Sequence, residues 1–181
     1  MLIGGPERRF IELVEHDPAW AGRFERERAR IRAALGDRAL RIDHVGSTAV
    51  PGLAAKPIVD IDVSVADPDD EDAVVPDLLA AGYVLRVRKP GHLMVRTPAR
   101  DVHVHVCAAG GTWESRHLVF RDWLREHPED RRRYEDVKRS LAGREWADMN
   151  DYADAKTDVI AAIMDRASGP DRDRRGTSSA S

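Results

Sequence analysis

Apolar and polar positions along the chain recur at two periods, and the switches between them lay out the elements. Trp20, Phe24, Ile31 and Leu35 follow one another at spacings of 4, 7 and 4, the stripe of an amphipathic helix. Asp17-Pro18 ahead of them supplies a capping carboxylate and a proline at the first helical position, and Gly36 ends the run. Residues 10–14 read as a short strand or an extended arm, and residues 39–45 as a strand that stops at Gly46. Over residues 57–66 the period falls to two. Val59, Ile61, Val63 and Val65 share one face, and Asp60, Asp62 and Ser64 the other. Residues 70–81 open with acids that favour a helix N-terminus and predict a helix. Residues 83–88 and 93–97 predict a hairpin joined through Lys89-Pro90-Gly91. Val102, Val104 and Val106 alternate with His103, His105 and Cys107 in another half-buried strand.

The last third reads as helical: residues 113–126, stopped near Pro128; residues 129–141, with Tyr134, Val137 and Leu141 as their stripe; and residues 147–166, carrying Tyr152, Val159, Ile160 and Ile163. A mixed sheet with early helices and a helical C-terminal third is an α/β or α+β body. Residues 168–181 lack apolar periodicity and are expected to be a disordered tail, leaving one domain over residues 1–167. A length of 181 residues suits that size. With 29 basic against 32 acidic residues the net charge is −3, which argues against a dedicated polyanion binder and an extended nucleic-acid surface but leaves room for a local nucleotide pocket. No run approaches the ~18 apolar residues of a membrane span, and the first residues carry no signal-peptide core, so no membrane association and a cytoplasmic location are expected. The single Cys107 excludes an internal disulfide and a cysteine-rich metal site.

Two constellations carry chemistry. Asp60 and Asp62, at i and i+2 on a strand, share a face. The apolar residues around them suggest an interior strand, where adjacent like charges are costly unless neutralised. A hard cation such as Mg²⁺, bound through carboxylates, water and substrate phosphates, is the natural neutraliser; a solvated strand face is the alternative. Upstream, Gly46 allows close backbone approach, and Ser47 and Thr48 offer donors suited to phosphate oxygens, although strand-ending turns of this composition are common. No Lys-Ser/Thr follows Gly52, so this is not a P-loop.

Taken together, a Gly-Ser turn after one strand and Asp-x-Asp on the next resembles the nucleotidyltransferase superfamily of the DNA polymerase β type. The whole stretch Gly46-Ser47-Thr48-Ala49-Val50-Pro51-Gly52-Leu53-Ala54-Ala55-Lys56-Pro57-Ile58-Val59-Asp60-Ile61 looks like the signature of the GrpB family, a nucleotidyltransferase-like group of bacterial proteins. Val102 to Val106, His117 to Arg125 and Tyr152 to Lys156 are similar to that family as well, so the resemblance spans roughly Val14 to Ile163. It implies a nucleotidyltransferase-like mixed sheet with flanking helices, in which Gly46 and Ser47 hold nucleotide phosphates and Asp60 and Asp62 bind Mg²⁺. Related domains are fused to dephospho-CoA kinase, which hints at nucleotide or coenzyme A metabolism. The superfamily usually places a third acid on a neighbouring strand. Here that strand carries His103 and His105, with Asp101 on the same face. One imidazole there can serve as a base, or as a ligand favouring Mn²⁺ or Zn²⁺ over Mg²⁺.

The expected site therefore comprises Asp60, Asp62, His103 and His105 as catalytic residues, with Asp60, Asp62 and His105 on the metal. Gly46, Ser47, Thr48, Lys56, Arg121 and Lys156 would lie toward phosphate, and His44 has a structural role. The expected activity is metal-dependent transfer of a nucleotidyl group from an NTP to a small-molecule or protein acceptor. The alternatives are a non-catalytic binder of a nucleotide or coenzyme A-type ligand, and a metal-dependent hydrolase.

Overall fold

The computed structural model describes residues 1–3, 12–142 and 154–169. Helix α1 (Ala19–Leu35) begins where Asp17 Oδ1 accepts the Ala19 N–H at 2.9 Å. Strand β1 (Arg41–Val45) runs into the Gly46 turn, and β2 (Val59–Val65) follows. The helix expected over residues 70–81 is split into a short 3-10 turn at Glu71–Ala73 and α2 (Val75–Ala80). Pro76 is the reason: without an N–H, and with its ring set against the preceding turn, it is tolerated only where a helix starts. Strands β3 (Val84–Lys89) and β4 (His92–Arg96) form the hairpin, and β5 (Val102–Ala108) follows. The remainder is helical: α3 (Thr112–Glu126), α4 (Pro128–Ala142) and α5 (Thr157–Ser168). Of the last expected helix, residues 147–153, including Tyr152, lie outside the described residues, as do Phe10, Ile11 and the tail from residue 170. Val14 is extended and pairs with Ala55. No described helix is long and apolar enough to cross a membrane.

The five strands form one mixed sheet in the order β1-β2-β5-β4-β3. Only β2 and β5 pair in parallel, and their register sets Asp60 beside His103 and Asp62 beside His105. Antiparallel pairing with β1 sets Asp43 beside Asp62. Period-two alternation therefore gives the sheet two unlike faces. Ile42, Ile61, Val63, Val104, Val106 and Val95 point to one side and pack with Ile31, Leu35 and Leu78 of α1 and α2 in the main core. The other face carries the carboxylates and imidazoles.

Helix α3 covers that polar face through polar contacts. The Ser64 hydroxyl donates to Glu114, which also accepts the Gly110 N–H at 2.7 Å. Arg121 donates to the His44 carbonyl at 3.1 Å. Arg125 gives two N–H groups to the Ala49 carbonyl, at 2.9 and 2.7 Å. A second apolar cluster, with Val50, Leu53, Leu124, Tyr134 and Ile163, joins α3, α4 and α5 to the segment after Gly46. Asp130 ties the same helices together, accepting from Trp123 at 2.7 Å and from two nitrogens of Arg166 at 2.9 and 2.7 Å.

Ile163 is fully buried in this second cluster. Ile163→Ala is expected to lower unfolding free energy by about 2–5 kcal/mol. Urea denaturation measures this. A change within about 0.5 kcal/mol, the range of surface substitutions, would contradict the packing described.

Candidate functional site

The polar face is left open at one end, where the Gly46 turn, β2, β5 and the C-terminal helices enclose a cavity of about 450 Å³. The turn forms one wall. Gly46 has φ +69°, a conformation glycine adopts without strain. A Cβ at this position would lie 2.8 Å from Asp60 Oδ2 and 3.2 Å from Asp60 Cβ. Glycine is what lets the turn lie directly against the carboxylate.

The following residues are pinned from several sides. Thr48 Oγ1 lies 3.0 Å from His44 Nε2. Glu135 accepts the Ala54 N–H at 3.1 Å, and Lys138 donates to Ser47 Oγ at 3.2 Å and to the Ala54 carbonyl. Burial pushes His44 down to about 4, so it serves this site as a neutral hydrogen-bonding ring, in keeping with its expected structural role.

Asp60 Oδ1 sits 3.4 Å from His103 Nδ1 and 3.7 Å from His105 Nε2. The donor atoms of these three residues all lie within 4.8 Å of one another, the one such group among the described residues. Burial works against the charge on Asp60, but hydrogen bonding to the two imidazoles outweighs it and holds the carboxyl well below the usual range. His105 is oriented from behind: its Nδ1 lies 3.1 Å from His92 Nε2, and His92 stacks on Trp113 with ring centroids 4.1 Å apart. Burial pushes His92 down to about 4, so it supports His105 as a neutral partner. A carboxylate and two imidazoles, one of them braced through its other nitrogen, fit a divalent transition metal. They suit Mg²⁺ less, since that ion takes oxygen ligands.

Asp62, expected with Asp60 and His105 on the metal, is placed differently. It is fully buried, its Oδ2 lies 2.8 Å from His117 Nδ1, and Trp113 Nε1 donates to Oδ1 at 3.4 Å. The parallel register sets His103 beside Asp60 and His105 beside Asp62, but the His105 ring lies near Asp60, and α3 engages Asp62 with its own side chains.

Of the expected site residues, Gly46, Ser47, Thr48, Lys56, Asp60, His103, His105 and Lys156 line the cavity. Arg121 does not. Its guanidinium is engaged by the His44 carbonyl, by Asp43 at 3.5 Å and by Asp122 at 2.8 Å. It anchors α3 to β1.

Three lining residues outside the expected site are His117, Tyr134 and Lys138. Lys138 had one sequence signal. Lysine occurs only four times in the chain, and three of the four, Lys56, Lys138 and Lys156, face this cavity. Lys138 is 2% exposed, and burial together with the charge of Lys156 pushes it down to about 7. Burial and Lys56 push Lys156 down to about 8. Phe120, Ile160 and Met164 supply an apolar flank.

Fold and site define a mixed α/β protein with a cavity that joins the Asp60, His103 and His105 cluster to the Gly46 turn. The chain belongs to the GrpB family: the model of that family, described as GrpB protein, matches residues 10–166. A UPF0157 protein of Streptomyces coelicolor is 56% identical over 92% of this chain and 89% of its own length. A dephospho-CoA kinase of Mycolicibacterium paratuberculosis is 35% identical over 81% of this chain, a match that covers 43% of that protein. Among solved structures, the conserved protein GrpB from Enterococcus faecalis superposes with a TM-score of 0.77 at 34% identity, covering 86% of this chain and 96% of that one.

The close approach at Gly46 makes a paired prediction. Gly52 also has positive φ, +76°, but a Cβ there meets nothing within 4 Å. Gly52→Ala is expected to cost about 1–3 kcal/mol of backbone strain and to leave Mn²⁺ affinity unchanged. Gly46→Ala is expected to cost more and to weaken Mn²⁺ binding at least about tenfold, because Asp60 is displaced. Thermal unfolding and isothermal titration with MnCl₂ read both. Equal effects of the two substitutions on metal affinity would contradict this account.

Proposed function

We propose that this protein transfers a nucleotidyl group from an NTP to an acceptor, using a divalent metal held by Asp60, His103 and His105. The observation that carries the reading is the contact of the Gly46 turn with Asp60, which brings the turn and the Asp60, His103 and His105 cluster together in the lining of one cavity. Mn²⁺ or Zn²⁺ suits this donor set better than Mg²⁺. The bound ion would supply charge neutralisation at the phosphates and polarise a phosphoryl oxygen.

The remaining work falls to the chain itself. Gly46 and Ser47 border the β- and γ-phosphates through backbone and hydroxyl donors. Lys56, Lys138 and Lys156 face the triphosphate and offset the charge that develops on the pyrophosphate leaving group. The apolar flank of Phe120, Ile160 and Met164 takes the less polar end of the substrate or acceptor. The nucleotidyltransferase-like signature in residues 46–61 points the same way.

The lysines supply a pH test. In the free protein Lys138 and Lys156 are pushed down to about 7 and about 8, by burial and by neighbouring positive charge. A triphosphate favours their charged forms and raises both pKa values, so binding takes up protons above about pH 7. ATP affinity in the presence of Mn²⁺ is therefore expected to fall between about pH 7 and pH 9. Calorimetry in buffers of different ionisation enthalpy should show net proton uptake; pH-independent binding without uptake would contradict it.

A screen of NTPs and metals against metabolite mixtures, read by pyrophosphate release, tests the activity. Release dependent on Mn²⁺ or Zn²⁺ and abolished by Asp60→Asn supports transfer. Saturable nucleotide or coenzyme A binding without release from any combination would replace it with a non-catalytic binding role.

A further inference from the structure

His117 lines the same cavity and forms, with the buried Asp62 behind it, a second polar unit that the reading above does not use. Both oxygens of the buried Asp62 are engaged, Oδ1 by Trp113 Nε1 at 3.4 Å and Oδ2 by His117 Nδ1 at 2.8 Å. A carboxylate accepts hydrogen bonds, so the short contact requires a proton on His117 Nδ1, and the neutral ring then carries its lone pair on Nε2. The ring is also held by its neighbours: its centroid lies 4.6 Å from that of Trp113 and 6.2 Å from that of His105. The His117 side chain keeps 35% exposure and lines the cavity with Gly46, Ser47, Asp60 and the three lysines. It stands outside the donor group of Asp60, His103 and His105. An imidazole fixed in one tautomer by a buried carboxylate, beside the proposed phosphate site and not itself one of the proposed metal donors, is placed to move a proton.

We infer that His117 accepts the proton of the attacking group, with Asp62 as its positioning residue, and that the group it serves is a hydroxyl. The inference rests on the nucleotidyl-transfer reading. A carboxylate or phosphate acceptor attacks without losing a proton and needs no base, whereas a hydroxyl does. In the step, the acceptor O–H proton passes to His117 Nε2 as the acceptor oxygen forms its bond to the α-phosphorus. The bond from that phosphorus to the bridging oxygen breaks, and its electron pair leaves with pyrophosphate toward Lys56, Lys138 and Lys156. Asp62 faces the Nδ1–H of the resulting imidazolium. The partly exposed ring then returns the proton to solvent.

Two measurements test this, one of them without metal or substrate. Long-range ¹H–¹⁵N correlation spectra of the metal-free protein, with His117 assigned by His117→Gln, are expected to show the Nδ1–H tautomer. In Asp62→Asn the amide oxygen faces the Trp113 donor and the amide NH₂ faces His117, which moves the ring proton to Nε2. A wild-type His117 that carries its proton on Nε2 would overturn the assignment. The second measurement is pyrophosphate release from ATP and Mn²⁺, with glycerol as the hydroxyl probe. His117→Gln and Asp62→Asn are expected to lose about 10²–10⁴-fold in rate, with Mn²⁺ and ATP affinities retained. Release by His117→Gln at the wild-type rate would overturn the role of His117 and leave the transfer reading standing. Absence of release from the wild type would count against the transfer reading itself, and the proposal would fall with it.

Discussion

The structure depends on the burial of a polar sheet face. Pairing β2 with β5 in parallel register places Asp60, Asp62, His103 and His105 on one side of the sheet, and helices then cover most of that side. A buried ionisable group without partners costs several kcal/mol, so the covering helix has to bring donors and acceptors with it. Helix α3 does so along its length, with Glu114 for Ser64, Trp113 and His117 for Asp62, Arg121 for the His44 carbonyl and Arg125 for the Ala49 carbonyl. These contacts fix the helix in rotation as well as position. The candidate site lies where this cover stops: Asp60 meets the Gly46 turn on one side and the lysines of the C-terminal helices on the other.

The same constraint separates the carboxylates of the Asp-x-Asp pair. Asp62 is enclosed and engaged by α3, while Asp60 stays partly open beside two imidazoles. One becomes a candidate ligand and the other a candidate support for a histidine. Three lysines line one cavity, and burial together with neighbouring positive charge pushes Lys138 and Lys156 down in pKa, a cost that an anionic ligand would relieve. The cavity thus carries the Asp60, His103 and His105 donor cluster and three lysines among its lining residues.

Local patterns made much of this legible in the sequence. The alternation through Val59–Val65 and Val102–Ala108 marked both central strands, and Gly46-Ser47 marked the turn, because each depends on residues close in the chain. GrpB membership was legible in residues 46–61. What escaped depended on tertiary register. The family resemblance brought His103 and His105 to the site, but nothing local fixes the parallel register that sets Asp60 beside His103, or the support of His105 by His92 from β4. His117 and Arg121 sit one turn apart on α3, yet one reaches the cavity and the other clasps β1, a difference set by how α3 docks on the sheet. Lys138 lies in a helix rich in charged residues. Only the packing of α4 against the Gly46 turn buries it.

On the proposed reading, one cavity holds a metal on Asp60, His103 and His105 and a triphosphate against Lys56, Lys138 and Lys156. The most direct measurement is anomalous diffraction from crystals grown with Mn²⁺ and a non-hydrolysable ATP analogue. The account predicts a manganese peak bonded to Asp60, His103 and His105, with the triphosphate between it and the lysines. A peak held by Asp60 and Asp62 without either histidine, or a triphosphate bound outside this cavity, would contradict it.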